Sequence, residues 1–473
     1  MNKQRMNRIK WMDTFRTSLS LLLCMLIFNV SGQVQSSSSK KAVARKAPNI
    51  ILILSDDLGL GDISAYYGRY KTPNIDRLAQ EGIRFNNYYS ASPICSPSRA
   101  GILTGQQPAK LHFTTFLNTK ADNKRKKQVD FLDPEVITIA DLLKSKGYAT
   151  AHFGKWHMGG GRDVTNAPNF DQYGFDEWSS TYESPDPDPA LTATNWIWSD
   201  QDSIKRWNRT AYFVDKTLAF LENNPDKPCY INLWTDDVHT PWVAGDDEVG
   251  RYPGKPQEEK SFQAVLQQFD AQIGRLMKGL KDLGIDENTI VIFTSDNGPM
   301  PNFRQDRSAG FRGSKLSLYE GGIRLPFIIR YPGVIKQGVV DSVSICSALD
   351  YLPTFSAIAD VELKDTKQFD GENRMEVWFG KADGKRKPLI WEYGRDDTTA
   401  YNLPKNNNRS PAMAIRDQQW KFLMNQNQTR LELYDLSKDQ LEKVNLIDQY
   451  PQLVKEYQQQ LLNWWGKLPV FRN

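Results

Sequence analysis

The stretch Pro48-Asn49-Ile50-Ile51-Leu52-Ile53-Leu54-Ser55-Asp56-Asp57 decides the fold. An unbroken apolar run from Ile50 to Leu54, followed by acids, reads as a strand buried on both faces whose C-terminal end meets solvent. The same texture returns at Tyr148–Phe153, Cys229–Trp234 and Thr289–Thr294. Helical spacing lies between these runs. Thr72-Pro73 predicts a helix start, with Thr72 capping and Ile75, Leu78 and Ala79 as the apolar stripe. Thr138–Lys146 stops at Gly147, and Glu259–Leu283 repeats Phe262, Val265, Leu266, Phe269, Ile273, Leu276 and Leu280 at helical spacing. Strands alternating with helices predict an α/β fold, a large and mostly parallel sheet sandwiched by helices. From about Phe369 the segments Met413–Arg416, Trp420–Met424 and Leu431–Leu436 are short and mixed, as in a small antiparallel sheet, and Pro451–Trp465 reads as a closing amphipathic helix. The expected domains are 48–368 and a C-terminal α+β subdomain over 369–473.

Residues 1–32 read as an address. Basic residues end at Arg16, an apolar run follows from Leu19 to Val30, and Ser31-Gly32 suits cleavage before Gln33. That run is shorter than the roughly 20 residues a membrane span needs. Residues 33–47, rich in Ser and Lys, read as a flexible linker. Lys3, Arg5, Arg8, Lys10 and Arg16 against Asp13 account for all of the chain's net charge of +4. The remainder is neutral overall, which argues against nucleic acid as a partner. An exported chain, periplasmic or secreted, with no stable membrane span is expected. Beyond the leader only Cys95, Cys229 and Cys346 remain, too few for a disulfide framework. Cys229 and Cys346 lie in apolar runs and read as two buried thiols or one disulfide.

Four polar clusters follow predicted strands: Asp56-Asp57, Lys155 with His157, His239, and Asp296-Asn297. Open α/β sheets place their ligand at that edge, and four clusters there exceed what helix capping explains. Three carboxylates and a carboxamide are hard oxygen ligands, suited to Ca²⁺ or Mg²⁺. The four His of the chain cannot furnish two zinc ions and still leave an acid or base.

The most specific run is Cys95-Ser96-Pro97-Ser98-Arg99-Ala100-Gly101-Ile102-Leu103-Thr104-Gly105. With Ser55-Asp56-Asp57, Gly154-Lys155-Trp156-His157, Asp236-Asp237-Val238-His239, Ser295-Asp296-Asn297-Gly298 and Gly313-Ser314-Lys315, it resembles the formylglycine-dependent type I sulfatases of the alkaline-phosphatase superfamily, including members like arylsulfatase A and N-acetylgalactosamine-6-sulfatase. The resemblance runs from about Pro48 to the C-terminal helix and implies an alkaline-phosphatase-like fold.

It also implies that a maturation enzyme, the formylglycine-generating partner, oxidises Cys95 to an aldehyde whose hydrate attacks sulfur. It implies one Ca²⁺ on Asp56, Asp57, Asp296 and Asn297, with the modified Cys95 as a further ligand. Arg99, Lys155 and Lys315 are expected around the sulfate, Arg99 also steadying the aldehyde loop. Lys315 and His239 are the expected donors to the leaving oxygen and His157 the base for sulfate release. Residues 97–101 should open a helix whose N-terminus faces the anion. His112 is a candidate for the substrate rim, and His152 reads as a core residue. Aromatics make up 11% of the chain, and Trp196, Trp198 and Trp242 offer either sugar-stacking faces or packing. The segment Tyr182–Pro189 is a plausible rim whose acids would repel a long polyanion. A sulfatase acting on termini of sulfated carbohydrate is the expected function. The alternatives are a phosphodiesterase or phosphonate monoester hydrolase of the same superfamily, and an inactive binder of sulfated glycans.

Overall fold

β1 (Asn49–Ser55), the buried run that opens the folded chain, lies inside the larger sheet and pairs in parallel with β5 (Cys229–Trp234) and β6 (Thr289–Ser295). The computed structural model describes residues 46–194, 196–245, 255–381, 386–394 and 408–471. The expected leader, 1–32, and nearly all of the linker lie outside those residues.

The other strands of this sheet are β2 (Ile83–Tyr89), β3 (Ala149–Gly154), β4 (Glu177–Ser180), β7 (Arg324–Arg330) and β8 (Val339–Ser347). Their order is β4-β3-β5-β1-β6-β7-β2-β8. Only β7 runs antiparallel to its neighbours.

Alternation along β1 sends Ile50, Leu52 and Leu54 into one core layer and Ile51 and Ile53 into the other. The first layer holds residues of the helices Cys95–Thr104, Ile139–Lys144 and Tyr351–Ile358. The second is covered by the helices Pro73–Gln80, Arg209–Asn223 and Gln257–Asp282. Thr138 and Asp141 form a reciprocal capping box. Thr72 does not cap its helix: its hydroxyl receives the Ser64 backbone N–H at 3.0 Å instead.

A second, four-stranded antiparallel sheet contains β9 (Leu389–Glu392), β10 (Met413–Asp417), β11 (Trp420–Met424) and β12 (Glu432–Asp435), in the order β12-β11-β10-β9. One face buries Met413, Ile415, Phe422 and Leu433 under Val454, Tyr457 and Leu461 of the helix Pro451–Trp465. The other, through Trp391, Ala414, Leu423 and Tyr434, packs with Tyr89, Ile94 and Cys95. The small sheet thus backs the segment carrying Cys95. Cys95, Cys229 and Cys346 are all buried free thiols.

Candidate active site

The C-terminal edge of the large sheet gathers the polar residues. β1 delivers Asp56 and Asp57, and β6 delivers Asp296 and Asn297, in equal register because Ser55 pairs with Ser295. All four residues are buried. β3 ends at Gly154, where φ is +122° and a Cβ would lie 1.9 Å from the Trp234 carbonyl oxygen; only glycine lets the chain turn here to present Lys155. Asp57 and His157 hold left-handed φ values of 61° and 56°, conformations that non-glycine residues keep where surrounding contacts impose them.

Cys95 opens a ten-residue helix, so the expected helix start is present, and its N-terminal N–H groups favour an anion. Ligand atoms of Asp56, Cys95 and Asp296 lie within 4.8 Å of one another, as do those of Asp56, Asp57 and His239. Lys155 Nζ donates to Asp56 at 2.5 Å, and Lys315 Nζ meets Asp57 at 2.7 Å. Arg99 donates to Asp296 through Nε at 2.9 Å and to the Lys155 carbonyl at 2.7 Å.

The acids and cations balance one another, and their titration reflects it. Burial alone would raise Asp56, but Lys155, His239, Arg99 and Lys315 hold it well below the usual carboxylate range. Burial, with Asp56 alongside, pushes Asp296 up to about 8 against the pull of Arg99. Lys155 and Lys315 overcome burial because Asp56 and Asp57 face them, and both are raised. Burial drives His157 down to about 4 and also lowers the partly exposed His239.

These residues fit a hard cation. Asp56 Oδ1 and Asn297 Oδ1 are buried without a hydrogen-bond partner among the described residues. Asn297 spends its amide nitrogen on Asp57 at 2.7 Å and on the Gly298 carbonyl, leaving that oxygen for another electrophile. Three crowded carboxylates and a carboxamide, with Asp56 Oδ1 and Asn297 Oδ1 unclaimed among the described residues, suit an ion such as Ca²⁺ or Mg²⁺.

A cavity of about 290 Å³ opens above this floor, lined by Asp56, Cys95, Lys155, His157, His239 and Lys315 among others. Arg99 is not on its wall: fully buried beneath the floor, it ties Asp296 to the Lys155 backbone rather than ringing the cavity. His112 is absent from the wall as well; its ring packs edge-on against Phe471, 5.4 Å between centroids. His152 is wholly buried, stacked on Phe170 and edge-on to Trp156 and Trp234.

Sequence reasoning missed Phe116, Arg162, Arg206 and Asp236 on the wall. Asp236 lies within a quoted motif, two residues after β5, and that position was the available signal; its carboxylate pairs with Arg206 at 3.3 Å and Arg209 at 2.9 Å. In the expected rim segment, Tyr182 and Glu183 do line the cavity. Asp186 and Asp188 are engaged elsewhere, accepting from Trp178 and from Ser179 and Tyr212. Trp196 is 52% exposed with Arg162 over its ring, whereas Trp242 packs against Phe262 and Phe303.

The family described as Sulfatase matches residues 48–361, and that described as N-sulphoglucosamine sulphohydrolase, C-terminal, matches residues 312–466. An N-acetylgalactosamine-6-O-sulfatase of Bacteroides thetaiotaomicron is 28% identical over 91% of this chain and 95% of its own. Human arylsulfatase A is 32% identical over 74% of this chain and 71% of its own. A solved 6S-sulf protein, from work on the metabolism of multiple glycosaminoglycans by Bacteroides thetaiotaomicron, superposes with a TM-score of 0.72 at 26% identity, over 89% of this chain and all of that one. Another, in complex with a k-i-k-neocarrahexaose, gives 0.70 at 25% identity over 89% of this chain and 93% of its own. Among the described residues no helix is long and apolar enough to cross a membrane. On the span of the family match and the similarity to these relatives, the chain belongs to the sulfatase family and is a sulfuric ester hydrolase.

Proposed function

We propose that this chain is an exported enzyme that removes sulfate from the termini of sulfated saccharides, with Cys95 converted to formylglycine and Ca²⁺ held by Asp56, Asp57, Asp296 and Asn297. The observation that carries the reading is the placement of Cys95 at a helix N-terminus, within 4.8 Å of Asp56 and Asp296, under a cavity walled by Lys155 and Lys315. When bound, the modified residue supplies a nucleophilic hydroxyl and the ion supplies positive charge that the sulfate oxygens and that hydroxyl can share.

The chain's own residues do the rest. Lys155 and Lys315 receive the sulfate and stabilise the charge that grows on its oxygens. Lys315 also donates a proton to the leaving sugar oxygen. His239 places Nδ1 2.5 Å from the Thr240 carbonyl, so Nδ1 carries the hydrogen and Nε2 faces the cavity; it donates only as the imidazolium. His157 accepts the proton lost as sulfate departs. Saccharide as the substrate is supported by relatives named for N-acetylgalactosamine-6-sulfate and glycosaminoglycans, and by the exposed Trp196 face beside Arg162.

The test couples peptide mass to turnover. Protein made with a maturation enzyme should carry an aldehyde at position 95 and stoichiometric calcium. It should release sulfate from sulfated mono- or disaccharides faster than from a nitrophenyl sulfate, intact polymer or an aryl phosphate diester. An active enzyme with unmodified Cys95, stoichiometric zinc, or a preference for the diester would sink the proposal.

A further inference from the structure

Glu183 sits where the rim meets the floor. Its Oε2 lies 3.3 Å from His157 Nε2, and its Oε1 receives Arg162 Nη2 at 2.9 Å. The backbones are tied too, the His157 N–H donating to the Glu183 carbonyl at 3.0 Å. His157 Nε2 also lies 3.3 Å from the Leu117 carbonyl oxygen. Leu117 is itself anchored beside Cys95, its N–H donating to Ser96 Oγ at 3.0 Å.

Among the described residues Nε2 therefore faces two acceptors and no donor. Glu183 is ionised: burial would raise it, but His157, Lys155 and Arg162 hold it below the usual range. A nitrogen between a carboxylate and a carbonyl must carry the hydrogen. That leaves the lone pair on Nδ1, which is buried and without a hydrogen-bond partner among the described residues.

We infer that Glu183 is a positioning residue for His157: together with Leu117 it fixes the Nε2–H tautomer and the ring plane, so that Nδ1 is the atom that accepts the proton. Arg162 holds Glu183 from the rim side, and it donates its own backbone N–H to Tyr182 Oη at 2.9 Å. The inference rests on the reading of His157 as the base, but the tautomer can be observed without turnover. A carboxylate that orients a metal-ligating histidine is typically worth about 10- to 100-fold in activity, and at least that range is expected for one that orients a base.

The experiment uses the full chain with Glu183→Gln, Glu183→Asp and His157→Ala. On a sulfated disaccharide, Glu183→Gln should lower kcat about 10- to 100-fold with KM within about twofold, and Glu183→Asp should recover part of the loss. Independently, the chain with unmodified Cys95 and ¹⁵N-labelled histidine should show His157, assigned from the His157→Ala spectrum, as the Nε2–H tautomer. That population should shrink in Glu183→Gln. A rise in KM at unchanged kcat would make Glu183 a substrate contact and overturn the inference, as would an Nδ1–H tautomer in the parent. If His157→Ala keeps full turnover, the base assignment falls, and the spectra alone decide whether Glu183 orients the ring. A Glu183→Gln chain that fails to fold leaves the parent's tautomer as the deciding measurement.

Discussion

The floor and the rim of one cavity are built by opposite means. Asp56, Asp57, Arg99, Asp296 and Asn297 come from strand ends and one helix, and each is at most 1% exposed. Every charge there has a partner of opposite sign on another element. The rim comes from the connections on both sides of β4: Arg162 precedes it, Tyr182 and Glu183 follow it, and Trp196, half exposed, lies under Arg162. A paired buried charge cannot change alone without stranding its partner, whereas a solvent-facing aromatic can be exchanged at little cost to the fold. The floor is therefore suited to chemistry shared with relatives, and the rim to choosing the sugar.

Asp296→Asn should give the largest effect. It keeps the shape but removes one of three carboxylates and the partner of Arg99. Bound calcium should be lost, kcat should fall roughly 10³-fold or more on every sulfate ester, and the melting temperature should drop because the buried Arg99 loses its nearest carboxylate. Elemental analysis beside kinetics checks this; calcium retained at full activity would break the distinction at its strongest point. Lys315→Ala should follow, lowering kcat about 10²- to 10³-fold, and by the same factor for a nitrophenyl sulfate and a sulfated disaccharide. A loss confined to one substrate would move Lys315 into the rim class. Trp196→Ala should then cost about tenfold in kcat/KM on the saccharide and nothing on the aryl sulfate, because it removes only a stacking face.

The floor was legible in the sequence because parallel strands buried on both faces advertise themselves as apolar runs, and polar residues directly after such runs share one edge. β1, β3, β5 and β6 were read this way, and so were their terminal acids, lysine and histidine. β2 and β7 were not. Ile83–Tyr89 carries Arg84, Asn86 and Asn87, and Arg324–Arg330 contains Pro326, which argues against an interior strand. The fold accommodates Pro326 where the β2–β7 register slips between Phe85 and Tyr88. The rim was harder for another reason. Arg162 and Glu183 are far apart in sequence and lie in irregular chain, so no periodicity announces that they meet at 2.9 Å. Arg99 was assigned to the sulfate because its charge fits, yet charge alone does not reveal which side of the floor a side chain occupies.

The smallest effect concerns what the floor stands on. His152 lies on β3 amid Trp156, Phe170, Phe175 and Trp234, and Arg99 lies over that Trp234. Burial, helped by the Arg99 charge, pushes His152 from 6.5 down to about 3. The native chain thus keeps this ring neutral while the unfolded chain takes up a proton near the ordinary value. Between those values the unfolded state binds more protons, so stability falls as pH drops from about 6.5 toward 3, and the group adds no dependence above that window. By about pH 5 the loss should reach about 2 kcal/mol. His152→Phe keeps an aromatic ring in the box and removes the titration. Urea unfolding of parent and variant at about pH 7.5 and pH 5 measures the difference; His157, also lowered, contributes to both chains and cancels. The variant should lose less stability on acidification than the parent, with kcat at neutral pH within about twofold. Equal losses in the two chains would mean that His152 is protonated within the fold, and that the floor rests on a wetter foundation than its aromatic neighbours indicate.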